Sequence, residues 1–445
     1  MGNSHPLSAL QSLREEVDAA FEGERTAKAN ICNEVRRRLY TKAELLVMDY
    51  EDYLDTAEAI QAFREEEEFS KAYAEVIDRL HLVPVKRPFR WWYWLDILFR
   101  FIGVNCAIVT ITIVCALPIL ILQPLETLAG MDPFKRTSVL IRQTMCSFIL
   151  LCSGIVIDFG DINQDYFKSQ CALLCFSHSS NLDGFIVCAG TPIRHYALGK
   201  KELFYVPFFS WISFAAGGVP IDRQNKNRAI SALKRASEEA INSKACIAIA
   251  PEGTRTKSGH LLDFKKGVFH IQEQLGTPII PLVIYGAWDL YPVGSWVNQC
   301  GRVSARFLEP IVDTDENGVK RSVEQMRRIT RRKMLEALVN PPYGICSDLS
   351  AGEWVQCYLV NFLNMLFVGF ISKLYVVNLF FNYLKVDLLN TIVYTFIMMV
   401  TMTVVLYVYS VYIVNFVGGA TKSAVEKVVR GPGSSGKRVE KTKSE

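Results

Sequence analysis

A chain of 445 residues, 50% of them apolar, has material for about three domains, and its composition excludes a disordered or fibrous protein. Lys and Arg number 49 against 45 Asp and Glu, and a net charge of +4 is too small for a dedicated nucleic-acid binder. The 12 cysteines form no C-x-x-C pair and several sit in apolar runs, which excludes a disulfide framework and a zinc cluster and fits a reducing, cytosol-facing setting.

Residues 1–80 hold 18 acids and 10 bases, net −8. Leu10, Leu13, Val17 and Phe21 recur at three- and four-residue spacing with few breakers, so 1–85 reads as an acidic helical extension. It is either a docking module or a solvated charged appendage. No secretory signal is expected, because a long charged stretch precedes the first apolar run, and Pro6 spoils a myristoylation pattern at Gly2.

The character changes at "KRPFRWWYWLDILFR". Lys86, Arg87 and Arg90 precede Trp91, Trp92, Tyr93 and Trp94, the pattern of an interfacial belt with basic anchors. Between Arg100 and Glu126 lie 25 uncharged residues, which predicts a membrane-crossing helix with Pro118 inside it. A second run, 15 residues between Arg142 and Asp158, is long enough to enter a bilayer but not to cross it. Residues 86–157 are therefore assigned to the belt and a membrane helix pair.

From 158 to 345 short apolar runs alternate with charged helical patterns, as in an α/β domain. "CALLCF", "CIAIAP" and "PIIPLVIYG" read as buried strands. "NKNRAISALKRASEEAINS" and "KKGVFHIQEQLG" read as helices, the second closed by Gly276. The segment 202–217, "ELFYVPFFSWISFAAG", is aromatic enough to lie on a membrane or wall an acyl pocket. Beyond 353 come uncharged runs of 19, 11 and 34 residues, separated by Lys373 and by Lys385 with Asp387. These predict C-terminal membrane helices over 354–417, crossing twice with Lys385 and Asp387 in the far-side turn. The tail 418–445, with 7 bases and 3 acids, reads as flexible and cytosolic.

Four motifs carry candidate chemistry. In "FSHSSNLDGF", His178 follows a predicted strand and Asp183 stands five positions on. A carboxylate at that spacing reaches back to the imidazole Nδ1–H, fixes the tautomer and leaves Nε2 free as a base; the alternative is a packed histidine before a helix with an acidic first turn. In "APEGTRTKSG", Pro251 and Gly253 force a turn that projects Glu252, Thr254 and Arg255, and Arg255 is a forked donor suited to phosphate; the alternative is a polar strand cap. "GKKEL" supplies Lys200 and Lys201, and "GGVPIDR" ends in Asp222 and Arg223. Each of these reads singly as surface charge or as part of a phosphate site. No Gly-rich nucleotide loop or nucleophile elbow is present. His195, His260 and His270 lack partners at metal-ligand spacing and are expected to be packing or surface residues.

As an ordered set, these four motifs with "FKKGVFH" and "PIIPLVI" resemble the glycerolipid acyltransferases, most closely the 1-acylglycerol-3-phosphate O-acyltransferases. The resemblance covers roughly residues 90–310 and implies a mixed α/β sheet flanked by helices, preceded by a membrane helix pair at about 97–123 and 136–157. It implies that His178 and Asp183 are catalytic, that Glu252, Gly253, Thr254 and Arg255 lie in the acceptor site, and that Lys200, and Arg223 with it, contact the acceptor's phosphate. Ser177 stands where many members have Asn, a departure bearing on acceptor subtype. The implied reaction acylates the sn-2 hydroxyl of lysophosphatidic acid from acyl-CoA, with His178 as general base and no cofactor or metal. Lys226, Arg228, Lys234 and Arg235 are candidate contacts for the CoA phosphates, and Phe204, Phe208, Phe209, Trp211 and Phe214 for the acyl chain. An integral membrane location at the endoplasmic reticulum, catalytic domain and tail facing the cytosol, is expected. The alternatives are glycerol-3-phosphate or another lysophospholipid as acceptor, transfer between phospholipids without CoA, and a non-catalytic membrane scaffold.

Overall fold

Leu173–Phe176, Cys246–Ile249 and Ile279–Tyr285 are uncharged apolar runs, and in the computed structural model they form the centre of one sheet. The structure describes residues 6–27, 33–54, 69–77, 80, 91–111, 115, 117–132, 136–168, 171–205, 209–222, 226–295, 297–315, 317–342 and 349–381. Met1–Val386 make one compact unit, and a second, Asp387–Glu445, lies outside the described residues. The uncharged run 388–421, the proposed far-side turn at Lys385 and Asp387 and the basic tail are likewise outside the described residues.

The strands are β1 Ile155–Asp158, β2 Leu173–Phe176, β3 His195–Lys200, β4 Gly218–Ile221, β5 Cys246–Ile249, β6 Ile279–Tyr285 and β7 Gly301–Phe307, in the order β1-β7-β6-β2-β5-β3-β4. Neighbours run parallel except β6 and β7, so the sheet is mixed, as expected. The helices are α1 Pro6–Ala27, α2 Asn33–Leu54, α3 (69–77), α4 Trp91–Ile111, α5 Leu117–Leu128, α6 Thr137–Cys152, α7 Asp183–Gly190, α8 Phe209–Ala215, α9 Lys226–Asn242, α10 Lys266–Leu275, α11 Ala287–Leu290, α12 Val323–Val339 and α13 Ala351–Phe381. Gly276 closes α10 in the left-handed conformation, φ +59°, which a side chain would strain.

The main core joins one face of the sheet to α10 and α12 through Leu173, Ile247, Phe269, Val283 and Met334. Leu45 and Met48 of α2 belong to the same core. The predicted stripe Leu10, Leu13 and Val17 is buried inside the hairpin, against Leu39, Val76 and Leu80. The N-terminal segment is thus packed onto the α/β layers through α2.

One expectation about the membrane pair needs correction, and the other falls only partly on the described residues. Within 97–123 the described residues form α4 up to Ile111 and α5 from Leu117, with Pro118 in the first turn of α5 and Pro124 inside it. The helix predicted over 136–157 ends at Cys152. Gly154, φ +76°, turns the chain, and Ile155–Asp158 pair with Gly301–Ser304 as edge strand β1, so the sheet begins inside the segment assigned to the membrane. Among the described residues no helix is long and apolar enough to cross a membrane.

Candidate active site

The parallel strands β2, β5 and β3 end on one edge of the sheet, the usual functional edge of an open α/β layer. His178 lies two residues past β2, the "PEGT" turn follows β5, and Lys200 ends β3. The backbone of the first two is locked together, Thr256 N–H donating to the His178 carbonyl at 3.0 Å.

Asp183, the first residue of α7, is fully buried, and its Oδ2 meets three donors. His178 Nδ1 lies 2.9 Å away, and the backbone N–H groups of Ser179 and Ser180 donate at 2.7 and 2.8 Å. The two amides hold the carboxylate in place, the carboxylate holds the imidazole through Nδ1–H, and Nε2 is left as the basic nitrogen. The imidazole edge packs against Phe176, with ring centroids 5.7 Å apart, and the His178 side chain keeps 24% exposure, enough to meet a substrate. The Ser177 hydroxyl accepts the Ile284 N–H at 2.9 Å and ties β2's end to β6 at the wall of the site.

Glu252 is buried at the wall of the site, and both its carboxylate oxygens are taken by backbone amides. Its Oε1 accepts the His178 N–H at 2.7 Å and its Oε2 the Leu262 N–H at 3.0 Å, so it braces the catalytic segment against the following loop. Burial pushes its carboxyl up to about 8, the two backbone donors opposing that rise. An acid whose folded pKa is raised costs stability as pH climbs from its unfolded range near 4.5 toward 8. Glu252→Gln, which cannot ionise, should therefore gain on the wild type over that window; a Tm difference between the two that stays constant from pH 4.5 to 8.5 would contradict this.

Thr254 is exposed, and the Arg255 guanidinium donates to the side-chain Oδ1 of Asn181. Gly253 has φ +68°, and Lys265 lies so close that a Cβ there would stand 2.9 Å from its Nζ. Lys265 thus adds a second cation to the turn carrying Arg255. "FKKGVFH" held this residue, but nothing in its spacing says that the side chain folds back over Gly253.

Lys200 is 57% exposed with Glu202 at 3.8 Å, whereas Lys201 is held by Asp222 at 2.8 Å. The Asp222 bond raises the Lys201 pKa. Arg223 and Phe208 lie outside the described residues, as do the side chains of Lys226, Arg228 and Phe209. Lys234 and Arg235 are exposed on α9. Phe204 and Phe214 pack at 4.9 Å between ring centroids, beside Trp211, which is half exposed. His195 is fully buried and His270 is exposed, whereas His260 stacks on Tyr40 of α2 beside the site.

A small cavity opens at His178, walled by His178, Glu252, His260, Trp288 and, from α2, Arg37. No motif pointed to Arg37 or Trp288, since neither belongs to a local pattern and only chain folding brings them here.

Residues 161–285 match the family model described as Acyltransferase. The chain is 30% identical over 170 residues to a 1-acyl-sn-glycerol-3-phosphate acyltransferase of Cocos nucifera, covering 38% of this chain and 55% of the relative. It is 28% identical over 195 residues to the Saccharomyces cerevisiae protein of the same name, covering 43% and 64%. A crystal structure of the 1-acyl-sn-glycerophosphate (LPA) acyltransferase PlsC from Thermotoga maritima is similar at 24% identity and a TM-score of 0.43, over 55% of this chain and 95% of that one. The chain spans between half and two thirds of the length of these curated relatives.

Proposed function

We propose that the chain, whose residues 161–285 match the acyltransferase family model, moves an acyl group from acyl-CoA to the sn-2 hydroxyl of lysophosphatidic acid, releasing phosphatidic acid and CoA. His178 Nε2 takes the hydroxyl proton as the oxygen attacks the thioester carbonyl. The tetrahedral intermediate collapses, the carbon–sulfur bond breaks, and the imidazolium returns its proton to the departing thiolate. Asp183 stabilises that imidazolium throughout. A thioester is already activated, so this reaction needs no covalent enzyme intermediate and no metal. The observation that carries the reading is the His178–Asp183 pair, 2.9 Å apart, with the carboxylate fully buried and held by two backbone amides. A scaffold has no use for that arrangement.

Arg255, Lys265 and Lys200 are the cations assigned to the acceptor's phosphate, which supports a phosphate monoester over a neutral acceptor. Membrane association is proposed through faces that carry apolar groups outward and polar groups inward. On α4, Trp94, Leu95, Leu98, Phe101 and Ile102 are exposed while Arg100, paired with Asp96 at 2.8 Å, is buried. On α13, Leu359, Phe362, Leu363, Leu366 and Phe370 are exposed while Asn361 and Asn364 are buried, donating to the carbonyls of Cys152 and Gly103. Exposed apolar surface of this extent is costly in water and favourable against acyl chains, so these helices lie along a leaflet, with the catalytic edge served by cytosolic CoA at the endoplasmic reticulum.

The test is product formation from labelled acyl-CoA by purified protein in detergent, with lysophosphatidic acid, glycerol-3-phosphate and lysophosphatidylcholine as acceptors. Wild type should acylate lysophosphatidic acid and His178→Ala should not. Arg255→Ala should raise KM for lysophosphatidic acid about tenfold or more, the worth of one charge-assisted contact. Activity on lysophosphatidylcholine alone would keep the reaction class and sink the phosphate assignment; inactivity on all three would sink the enzyme.

A further inference from the structure

Helix α2 reaches the catalytic segment at two points. At the first, the Arg37 guanidinium, which walls the cavity, donates to Asp289 Oδ2 at 2.7 Å, and that carboxylate is 2% exposed. Asp289 belongs to α11, and two residues on, the Tyr291 carbonyl accepts the Ser180 hydroxyl at 2.8 Å. Ser180 is one of the residues whose backbone N–H holds Asp183. At the second, Tyr40, one turn along α2, stacks on His260 with ring centroids 3.5 Å apart and planes 7° from parallel. His260 lies in the loop whose Leu262 N–H fixes Glu252, and Glu252 in turn holds the His178 N–H. The two routes end on the two groups that orient His178.

Helix α2 is itself tethered from behind. Glu44 accepts from Arg331 of α12 at 2.6 Å and from Tyr73 of α3 at 2.5 Å, and Arg332 pairs with Asp49. A helix held by α12 and the main core presses on the site as a rigid element. Arg37 and Asp289 both lie outside the segment that matches the acyltransferase family model.

We propose that α2 is an integral wall of the active site and that Arg37 is a positioning residue for the His178–Asp183 pair, acting through Asp289 and the segment from Tyr291 to Ser180. A planar guanidinium on a nearly buried carboxylate fixes α11 in both distance and angle, which a flexible ammonium does less well. Its kinetic consequence rests on the acyl-transfer reading above; its structural consequence does not.

The experiment uses the full chain in detergent and reads two quantities for each variant. One is kcat and KM with lysophosphatidic acid and acyl-CoA. The other is backbone hydrogen exchange over 177–183 and 260–263, where the amides of His178, Ser179, Ser180 and Leu262 are engaged. Arg37→Ala should lower kcat about 10- to 100-fold with KM held within about twofold, as a displacement of about 1 Å in a catalytic pair does, and should speed exchange over 177–183 while leaving β6 protected. Arg37→Lys should recover part of the loss. Asp289→Asn should resemble Arg37→Ala, and the double variant should be no worse than the more damaging single one, since both break the same link. Lys42→Ala, which cuts the Lys42–Glu16 bond within the hairpin, should leave both quantities unchanged.

A rise in KM at constant kcat would overturn the proposal by making Arg37 a substrate contact. So would unchanged kcat with unchanged exchange, and so would faster exchange spread through β6, the mark of a purely structural loss. If wild type acylates no acceptor, the functional reading falls by itself, and the exchange comparison alone decides for or against the positioning role.

Discussion

Asp183→Asn is expected to lower kcat by about 10³- to 10⁴-fold while the fold persists. Asp183 Oδ2 receives the Nδ1–H of His178 and the amides of Ser179 and Ser180 within 2.7 to 2.9 Å, and its Oδ1 is buried with no hydrogen-bond partner among the described residues. Asparagine keeps the shape and can present its carbonyl oxygen to the same donors, so the backbone turn survives. What it loses is the negative charge that stabilises the imidazolium once His178 has taken the hydroxyl proton. An amide turned the other way would offer N–H to Nδ1 and select the tautomer that blocks Nε2. His178→Ala should cost at least as much, and the double variant no more than His178→Ala alone, because the pair acts as a unit. The measurement is single-turnover acyl transfer at matched Tm; a loss of less than tenfold would show that Asp183 merely shapes the turn.

Gly217→Ala is expected to destabilise the protein by about 3 kcal/mol or more, a size reserved for core disruption or backbone strain. Gly217 has φ +86°, and an added Cβ would run into the carbonyl oxygen of His195, which is backbone and cannot swing aside. Its own carbonyl accepts the Ala197 N–H at 2.8 Å and its N–H donates to the Phe214 carbonyl at 3.0 Å, so the residue joins α8 to the β3–β4 pair. Urea unfolding followed by tryptophan fluorescence should show a lower midpoint, with recovery of soluble protein reduced. An unchanged midpoint would mean that the β3–β4 edge tolerates opening. Gly218→Ala is the comparison: a Cβ there would meet the Ser213 carbonyl at 2.6 Å, but its φ is not in the left-handed region.

Gly217 also shows how the "GGVPIDR" motif divides. Its glycines stand out in the sequence beside a charged pair, which suggests ligand binding, and the fold assigns them to close backbone packing. Asp222 goes to Lys201 rather than to a ligand. In the same way Glu252 looks like a group projected from a tight turn, and only the meeting of two loops turns it inward onto the His178 and Leu262 amides. Arg100 and Arg142 delimit uncharged runs in the sequence. Both are buried in the structure, where Arg100 donates to the Ser153 and Asn298 carbonyls and Arg142 to those of Cys188, Thr191 and Ile193. Hydropathy counts a charge as an end of a span, whereas a guanidinium with carbonyls around it can lie beneath an apolar face.

What the amino-acid order determined by itself is local. The buried strands β2, β5 and β6 follow from uncharged runs, the end of α10 from Gly276, and the His178–Asp183 contact from a five-residue spacing that one turn of chain can close. Motifs of this kind are legible because their partners lie within a few bonds, where backbone geometry leaves few choices. The tertiary structure alone decided that the acidic N-terminal hairpin walls the cavity at His178, since Arg37 and Asp289 are 252 residues apart. It also decided that α6 gives way to edge strand β1, which depends on the partner strand β7 more than a hundred residues on. Contacts at that range rest on which faces of helices and strands find complementary surface, a property of the packed whole that no window of sequence contains.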